Sequence, residues 1–415
     1  MNIWYVHPYA GGPGLGRFYR PWHLAKAWEK LGATTTVLMA DYHHILDRKS
    51  ELPPENMIDG VRYVALKAGY YEGNGAWRIL NMCRFTWSLW RAGARVGRDL
   101  PKPDAIIISS PHPFAFLAGL VLARRFRSKL AFEVRDLWPL SIIEINGTPS
   151  WHPVVWVTGW IERFAYKRSD LVASLLAGVD SYMRERGMAF RRFVWVPNGF
   201  SIERNDRSQP ESVEGRHILD VVRTWNKEGR FVIMHPGAMG PPNGLGLLLD
   251  AVAVLKAREL DKKIGVLLVG DGILRQQLEE QVTRQGLGSV LIAGPLPKSD
   301  VLGLLAHCHL GYCGGKRHDK VYRYGISFNK LMDFLSLGID ILMPIPAVIL
   351  PDGARLPNVL IVEDKADHIA AAIEVKLAEF RYVEGRKHYL TPEVLEHFEY
   401  GSVAQRYFQA LFPAP

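Results

Sequence analysis

Short apolar runs alternate with longer stretches whose apolar residues recur every three or four positions, and this continues through most of the 415 residues. Ile3–His7 reads as a buried strand, followed by a glycine-rich loop, Ala10–Gly16. Trp22, Ala25, Trp28 and Leu31 then share one face of a helix over about 20–31. Thr35–Met39, Ala105–Ser109, Leu130–Val134, Leu171–Ser174 and Phe193–Pro197 read as further strands. After Pro197-Asn198-Gly199-Phe200 the chain turns polar over Asn205–Glu214, which is the expected linker. The pattern then restarts: strands at Phe231–His235, Ile264–Val269, Val290–Ala293, Leu310–Cys313 and Ile341–Pro344, with helices near 245–258 and up to about 285. Alternating strands and helices predict an α/β chain of two Rossmann-like, doubly wound parallel-sheet domains. Ligands sit at the carboxyl ends of such strands, so two domains facing each other would form a central cleft.

Composition narrows this picture. With 48% hydrophobic and 22% charged residues the chain is globular, and its length suits two domains. No run of 18 apolar residues is present; the longest candidate, Pro113–Ala123, reads as a core helix. Asn2–Val6 already reads as a strand rather than a secretion signal, and Cys83, Cys308 and Cys313 have no metal or disulfide spacing. A cytoplasmic protein with reduced thiols is expected. The net charge of +9 is uneven: residues 1–200 hold 26 basic and 16 acidic side chains, the remainder 25 and 26. Such a field attracts anions, whether nucleic acid, acidic lipid or a phosphorylated substrate. No nucleic-acid motif accompanies it. Trp77–Arg98 is a basic, tryptophan-containing helical stretch without an acidic residue. It suits a peripheral membrane contact, or a core-facing helix with a solvated basic face.

The segment with most chemistry is Tyr324–Gly338. Ser327 reads as an N-cap and Gly338 as the terminator of the helix between them. Its first turn, Ser327–Asn329, would offer free N–H groups and the positive end of the dipole to a phosphate. Lys330 and Asp333 share a face three residues apart. They suit a cation on phosphates with a carboxylate on ribose hydroxyls, or a solvated ion pair. Arg135 and Asp136 follow the strand Leu130–Val134. Asp136 could accept the proton of an acceptor hydroxyl or orient the acceptor, and Arg135 could offset phosphate charge; an internal Arg–Asp pair is the alternative. His112, also just after a strand, is a catalytic or a structural histidine. Gly12, Gly14 and Gly16 only partly imitate a dinucleotide loop, although Asp41 stands where a ribose-binding acid would. A plain tight turn, or close backbone approach to a ligand with charge from Arg17, are the other readings.

These residues resemble the retaining glycosyltransferases of the GT-B fold (group 1, family 4). In that family a helix of the form S-P-x-K-x-x-E/D-x-x-x-x-G closes on the nucleotide diphosphate, which Ser327–Gly338 resembles. Met1–Leu38 resembles the family's opening strand, glycine loop and helix. Phe132–Pro139, with Arg135-Asp136-Leu137-Trp138-Pro139, resembles bacterial envelope-polysaccharide members of O-antigen, capsule and colanic-acid type, including aminosugar transferases. Val196-Pro197-Asn198-Gly199 and Val269-Gly270-Asp271-Gly272 match the family's V-P-N-G and V-G-D-G. No one of these is specific, but five in order are. Three departures stand out. Gly325 occupies the place of an acidic residue that usually contacts the donor hexose, Phe328 replaces a proline, and Asn243 replaces a phosphate-binding lysine. Lys316, Arg317, Lys320 or Arg323 would then supply the missing cation.

The resemblance implies domains at 1–205 and 206–395, with 396–415 crossing back onto the first through a helix near Val403–Leu411. It implies transfer, with retention, of a sugar (an N-acetylated aminosugar) from a UDP-linked donor to a saccharide or polyprenyl-diphosphate-linked acceptor in envelope polysaccharide synthesis. Lys330, Asp333, Ser327 and Asn329 would grip the nucleotide with backbone donors of Gly237, Ala238, Met239 and Gly240, beside Gly270 and Gly272. Gly12, Gly14, Gly16 and Arg17 would approach phosphates and acceptor. The sugar nucleotide is a substrate, so no cofactor is implied, and without an Asp-x-Asp pair no metal is expected. A nucleotide-sugar epimerase of the same fold, or an inactive nucleotide-sugar-binding protein, is the alternative.

Overall fold

The computed structural model describes residues 1–16, 18–46, 52–73, 75–145, 147–189, 192–202, 209–315, 319–345, 349–381 and 390–413. The chain divides into two compact units, Met1–Gly199 with His397–Pro415, and Phe200–Glu396. The division falls a few residues before the expected boundary at 205. Among the described residues no helix is long and apolar enough to cross a membrane.

The first unit holds strands β1 (Asn2–Val6), β2 (Thr34–Ala40), β3 (Glu55–Ile58), β4 (Val61–Leu66), β5 (Ala105–Ser109), β6 (Lys129–Val134), β7 (Leu171–Ser174) and β8 (Phe193–Trp195). They form one sheet in the order β3-β4-β2-β1-β5-β6-β7-β8. Every pair is parallel except β3 with β4, a hairpin that the apolar pattern does not announce. Ile3, Trp4, Tyr5 and Val6 are fully buried because helices cover both faces of the sheet. Helix α1 (Arg20–Lys30) opens with Pro21 in its first turn and buries Trp22, Leu24, Ala25 and Trp28. Against it packs the terminal helix Tyr400–Leu411, whose Ala404 carbonyl accepts the Trp28 indole N–H at 2.9 Å. The opposite face carries α2 (Ala76–Ala92) and α3 (Ala115–Phe126), then the short α4 (Leu140–Glu144) and α5 (Pro153–Arg168), with α6 (Asp180–Glu185) following β7. Gly93, at the end of α2, leaves room for Leu122 of α3, and the Phe116 and Phe164 rings join α3 to α5 at 6.3 Å.

The second unit holds β9 (Phe231–Pro236), β10 (Ile264–Val269), β11 (Val290–Ala293), β12 (Leu310–Tyr312), β13 (Asp340–Met343) and β14 (Val359–Ile361). All are parallel, in the order β11-β10-β9-β12-β13-β14. Its helices are α7 (Val213–Lys227), α8 (Leu245–Ala257), α9 (Arg275–Gln285), α10 (Lys298–Leu305), α11 (Asp319–Tyr322), α12 (Asn329–Leu337) and α13 (Ala366–Glu379). Helix α7 begins inside the stretch read as linker, where the Ser212 hydroxyl accepts the Gly215 N–H at 2.9 Å. Leu248, Leu249, Val252 and Leu255 of α8 pack with Ile369, Ala370 and Ile373 of α13 over the sheet. In each unit the strand order reverses once, between β1 and β5 and between β9 and β12. Loops splay apart at such a reversal, which makes it the natural ligand crevice of an open parallel sheet.

Candidate active site

In the first unit the reversal gathers histidines. His7 follows β1, His43 and His44 follow β2, and His112 follows β5. Their rings surround that of Tyr9, at 6.3, 5.7, 5.2 and 6.4 Å respectively. The Arg78 guanidinium donates to the Tyr9 hydroxyl at 3.3 Å. His7 is tied down by Ser109, with Nδ1 at 3.1 Å from its Oγ. His112 differs: it is 1% exposed, and neither ring nitrogen has a hydrogen-bond partner among the described residues. Burial, then the positive charge of Arg78, lower its pKa to about 3, so the imidazole is neutral. A neutral imidazole with one N–H and one lone pair unspent can bind a hydroxyl, although a pKa so low makes it a poor proton acceptor. Of this cluster, sequence reasoning singled out only His112. His7, directly after β1, carried the same signal of a polar residue at a strand's carboxyl end.

The next strand, β6, delivers Arg135 and Asp136. Arg135 lies over the Phe18 ring at 4.2 Å, and its buried Nη1 has no partner among the described residues. An unpaired buried guanidinium nitrogen is costly unless an anion arrives. Asp136 keeps an exposed surface, yet desolvation by surrounding protein raises its pKa, with Arg135 pulling the other way. Asp136 and Glu162 line one small cavity with Ser110 and Trp138. Nothing in the spacing of the chain marked Glu162. Burial pushes its pKa up to about 7, against the pull of Arg186 at 3.0 Å and hydrogen bonds from the Tyr166 and Tyr182 hydroxyls. Beneath the site Glu133 is fully buried and paired with Arg20 at 3.0 Å, while Ser109 and Tyr5 donate to it at 2.7 and 2.5 Å. Arg20 also donates to the Val196 and Pro197 carbonyls, tying the start of α1 to the Val-Pro-Asn-Gly stretch.

The glycine loop is a turn closed on itself. The N–H groups of Gly11, Leu15 and Gly16 are spent on the Phe18 and Gly12 carbonyls. A Cβ on Gly12 would lie 2.9 Å from the Tyr63 hydroxyl and one on Gly16 3.1 Å from the Ile45 carbonyl, whereas Gly14 takes φ +71° in open space. Arg17 lies outside the described residues. Asp41 accepts the Ala68 and Gly69 N–H groups at 2.8 and 3.3 Å and so folds the chain after β4.

In the second unit the reversal lies between the loop after β9 and the loop after β12, and Lys330 enters there. Its ammonium donates to the Asn243 side-chain carbonyl and, at 3.2 Å, to the Gly314 carbonyl. Asn243 therefore stands beside Lys330, the lysine already expected on the phosphates. Of the four cations considered for that place, Lys320 and Arg323 are exposed, with Arg323 donating to the Tyr324 hydroxyl at 2.6 Å. Lys316 and Arg317 lie outside the described residues. Burial lowers the Lys330 pKa.

Asp333, one turn on, does not pair with Lys330. It pairs with Lys298 at the start of α10, which removes the reading of Lys330 and Asp333 as a solvated pair. Ser327 is not the N-cap. The helix starts two residues later, with Phe328 extended at the cap (φ −71°, ψ 140°) and no side chain capping it. The first turn, with Asn329 and Lys330, therefore keeps its orphan N–H groups for a ligand or solvent. Gly338 ends the helix at φ +67°, as expected.

The backbone donors expected at 237–240 need a correction. Gly237 N–H is spent on the Val269 carbonyl and Met239 N–H on the Asp271 carbonyl, both at 2.8 Å. The Met239 side chain lies in the core. Ala238 and Gly240 remain where they can face a ligand at the strand end, although the Ala238 carbonyl already accepts from Asn243 at 2.8 Å. Gly270 and Gly272 have a packing role: a Cβ on Gly270 would sit 1.8 Å from the Gly237 carbonyl oxygen, and one on Gly272 2.5 Å from that of Met239. They let two loops press together rather than offering contacts of their own.

The two sheets, each with its crevice at a strand-order reversal, have the fold of GT-B glycosyltransferases. Residues 19–199 match the family model described as the glycosyl transferase 4-like domain. No curated protein matches the sequence. Solved structures similar in fold include sucrose-phosphate synthase from Thermosynechococcus elongatus, at 15% identity and TM-score 0.70 over 99% of this chain and 98% of that one. The Anabaena protein HepE, in complex with UDP and glucose, aligns at 14% identity and TM-score 0.63 over 99% of both. An α,α-trehalose-phosphate synthase (UDP-forming) from Burkholderia xenovorans, in complex with glucose-6-phosphate, does so at 14% and 0.66, again over 99% of both.

Proposed function

We propose that this chain is a glycosyltransferase that takes a UDP-linked sugar at the second unit and passes it, with retention of configuration, to an acceptor bound at the first. The observation that carries this is the Lys330 ammonium, fixed by Asn243 and Gly314 beside the uncapped first turn of α12, with Asp333 one turn away. A cation and a set of free N–H groups at one place suit a diphosphate, and Asp333 suits ribose hydroxyls once it leaves Lys298. The UDP complex of HepE supports the choice of base.

On this reading the leaving diphosphate takes the acceptor proton, while Lys330 and the helix start stabilise the departing charge. Ser327 and Asn329 flank that start. Asp136 and His112 orient the acceptor hydroxyl, Arg135 supplies its unspent Nη1 to an anionic group, and Gly12, Gly14 and Gly16 shape the approach. The finer expectation, an N-acetylated aminosugar moved onto a saccharide or polyprenyl-diphosphate-linked acceptor of the cell envelope in the cytoplasm, rests on the resemblance of Arg135–Pro139 to envelope enzymes.

The test is heat unfolding with UDP, GDP and dTDP. At roughly 100 times its dissociation constant a ligand adds about 2.7 kcal/mol of stability. UDP should stabilise the wild type and Lys298→Ala, and should fail to stabilise Asp333→Ala. Stabilisation of Asp333→Ala equal to that of the wild type would sink this donor site.

A further inference from the structure

Half of the chain's twelve tryptophans are exposed, and all six lie along one layer of the first unit. Trp77, Trp87 and Trp90 stand on the outer side of α2, Trp156 and Trp160 on that of α5, and Trp151 just before α5. Between these helices α3 presents Val121, 49% exposed. Tryptophans at 45–74% exposure are expensive to leave in water, and six on one face of a monomer call for an occupant. The inner sides of the same helices explain why the outer ones are free. Phe85 and Leu89 of α2 and Ile161 and Ala165 of α5 already fill the core.

Charge identifies the occupant. Among the described residues of α2, α3 and α5 the single acidic side chain is Glu162, which is buried and bonded to Tyr166 and Arg186. The exposed charges are all positive: Arg84 and Arg91 on α2, Arg124 and Arg125 ending α3, Arg163 within α5 and Lys167 and Arg168 ending it. A second copy would bring the same positive face against this one, which disfavours self-association. An anionic bilayer satisfies both halves, with indoles at the headgroup level and arginines reaching lipid phosphates.

We propose that the outer face of α2, α3 and α5 docks on an anionic lipid membrane. Crossover helices run against their strands, so Trp77 and Trp156, each in a first turn, lie toward the carboxyl edge of the sheet. That is the edge that carries His112 and Asp136. The cations that end α3 and α5 lie at the opposite edge. Trp77, Trp151 and Trp156 therefore bring the bilayer to the side on which an acceptor would be bound, while Trp87 and Trp90, in the last turns of α2, extend the face toward the other edge. The docking itself does not depend on the sugar-transfer reading.

The experiment is co-sedimentation of the full chain with vesicles of phosphatidylcholine alone and of phosphatidylcholine with phosphatidylglycerol, read together with tryptophan emission. The wild type should pellet with the phosphatidylglycerol vesicles, its emission should shift to the blue, and added salt should weaken binding. The double variant Trp156→Ala/Trp160→Ala should lose most of the blue shift. Arg124→Glu/Arg125→Glu should weaken binding by about fivefold or more for each cation removed. Unchanged urea midpoints in both variants show that the fold is kept. A wild type that stays in solution with anionic vesicles overturns the proposal, as does equal binding by the folded variants. So does a wild type that self-associates through this face while the variants are monomeric, or one that leaves vesicles unbound while a protein partner protects the same tryptophans.

Discussion

Glu162 holds its proton to about pH 7 because desolvation outweighs Arg186 and two phenols, whereas its ordinary value is 4.5. Between those values the folded chain carries a proton that the unfolded chain has released. The stability it contributes is therefore complete below about pH 4.5 and is lost as pH rises through 7, by about 3 kcal/mol for a shift of this size. The buried histidines act in the opposite sense: His43, His112 and His235 are held neutral and cost stability as pH falls below their ordinary 6.5. Wild type alone would mix the two effects. Comparison with Glu162→Gln separates them, because the variant loses only the carboxyl. Urea unfolding at pH 5 and pH 8 should show the wild type gaining less, or losing more, between the two than the variant. Equal pH dependence of both proteins would rule out this protonation of Glu162.

At the scale of elements, glycines of two different strand-end loops have unequal tasks. Gly270→Ala places a methyl group on the Gly237 carbonyl, so two loops must part, and the expected cost is about 3 kcal/mol or more. Gly14→Ala meets nothing within 4 Å and pays only for φ +71°, about 1 kcal/mol. Denaturant titration of the two variants should rank them so; a smaller loss at Gly270 would mean that the loops yield. The same contrast explains what the chain revealed in advance. Strands such as Leu171–Ser174 and Ile264–Val269 were legible because strands buried on both faces are unbroken apolar runs. The β3–β4 hairpin was not, since β3 alternates half-buried with exposed residues, although Asp59-Gly60 is a turn signal between them. The start of α12 was misplaced because Ser327 satisfies every local rule for a cap, whereas packing leaves Phe328 extended. In the site, Lys330 could be singled out from its place on a helix. Asn243 was noticed only as the residue in place of a lysine, and Gly314 not at all, since each anchor arrives from a different loop at the strand-order reversal.

Across the whole molecule, the last nineteen residues belong to the unit formed by the first two hundred. Val403, Tyr407 and Leu411 are buried there, with Trp28 bonded to Ala404 and Arg406 to the Trp195 carbonyl. Burying three such side chains is worth about 5–8 kcal/mol, comparable with the entire stability of a typical domain, about 5–15 kcal/mol. A chain ending at Glu396 should therefore lose the unfolding transition of the first unit. The second unit keeps its own sheet and core cluster, including Leu248, Val252 and Ile369, and none of that core comes from the removed segment. Calorimetry of the shortened chain should show one surviving transition, and UDP should raise its midpoint if the nucleotide binds at Lys330 and Asp333. Loss of every transition would show that the second unit cannot fold without the first. Survival of both would show that the terminal helix contributes little to the core it covers.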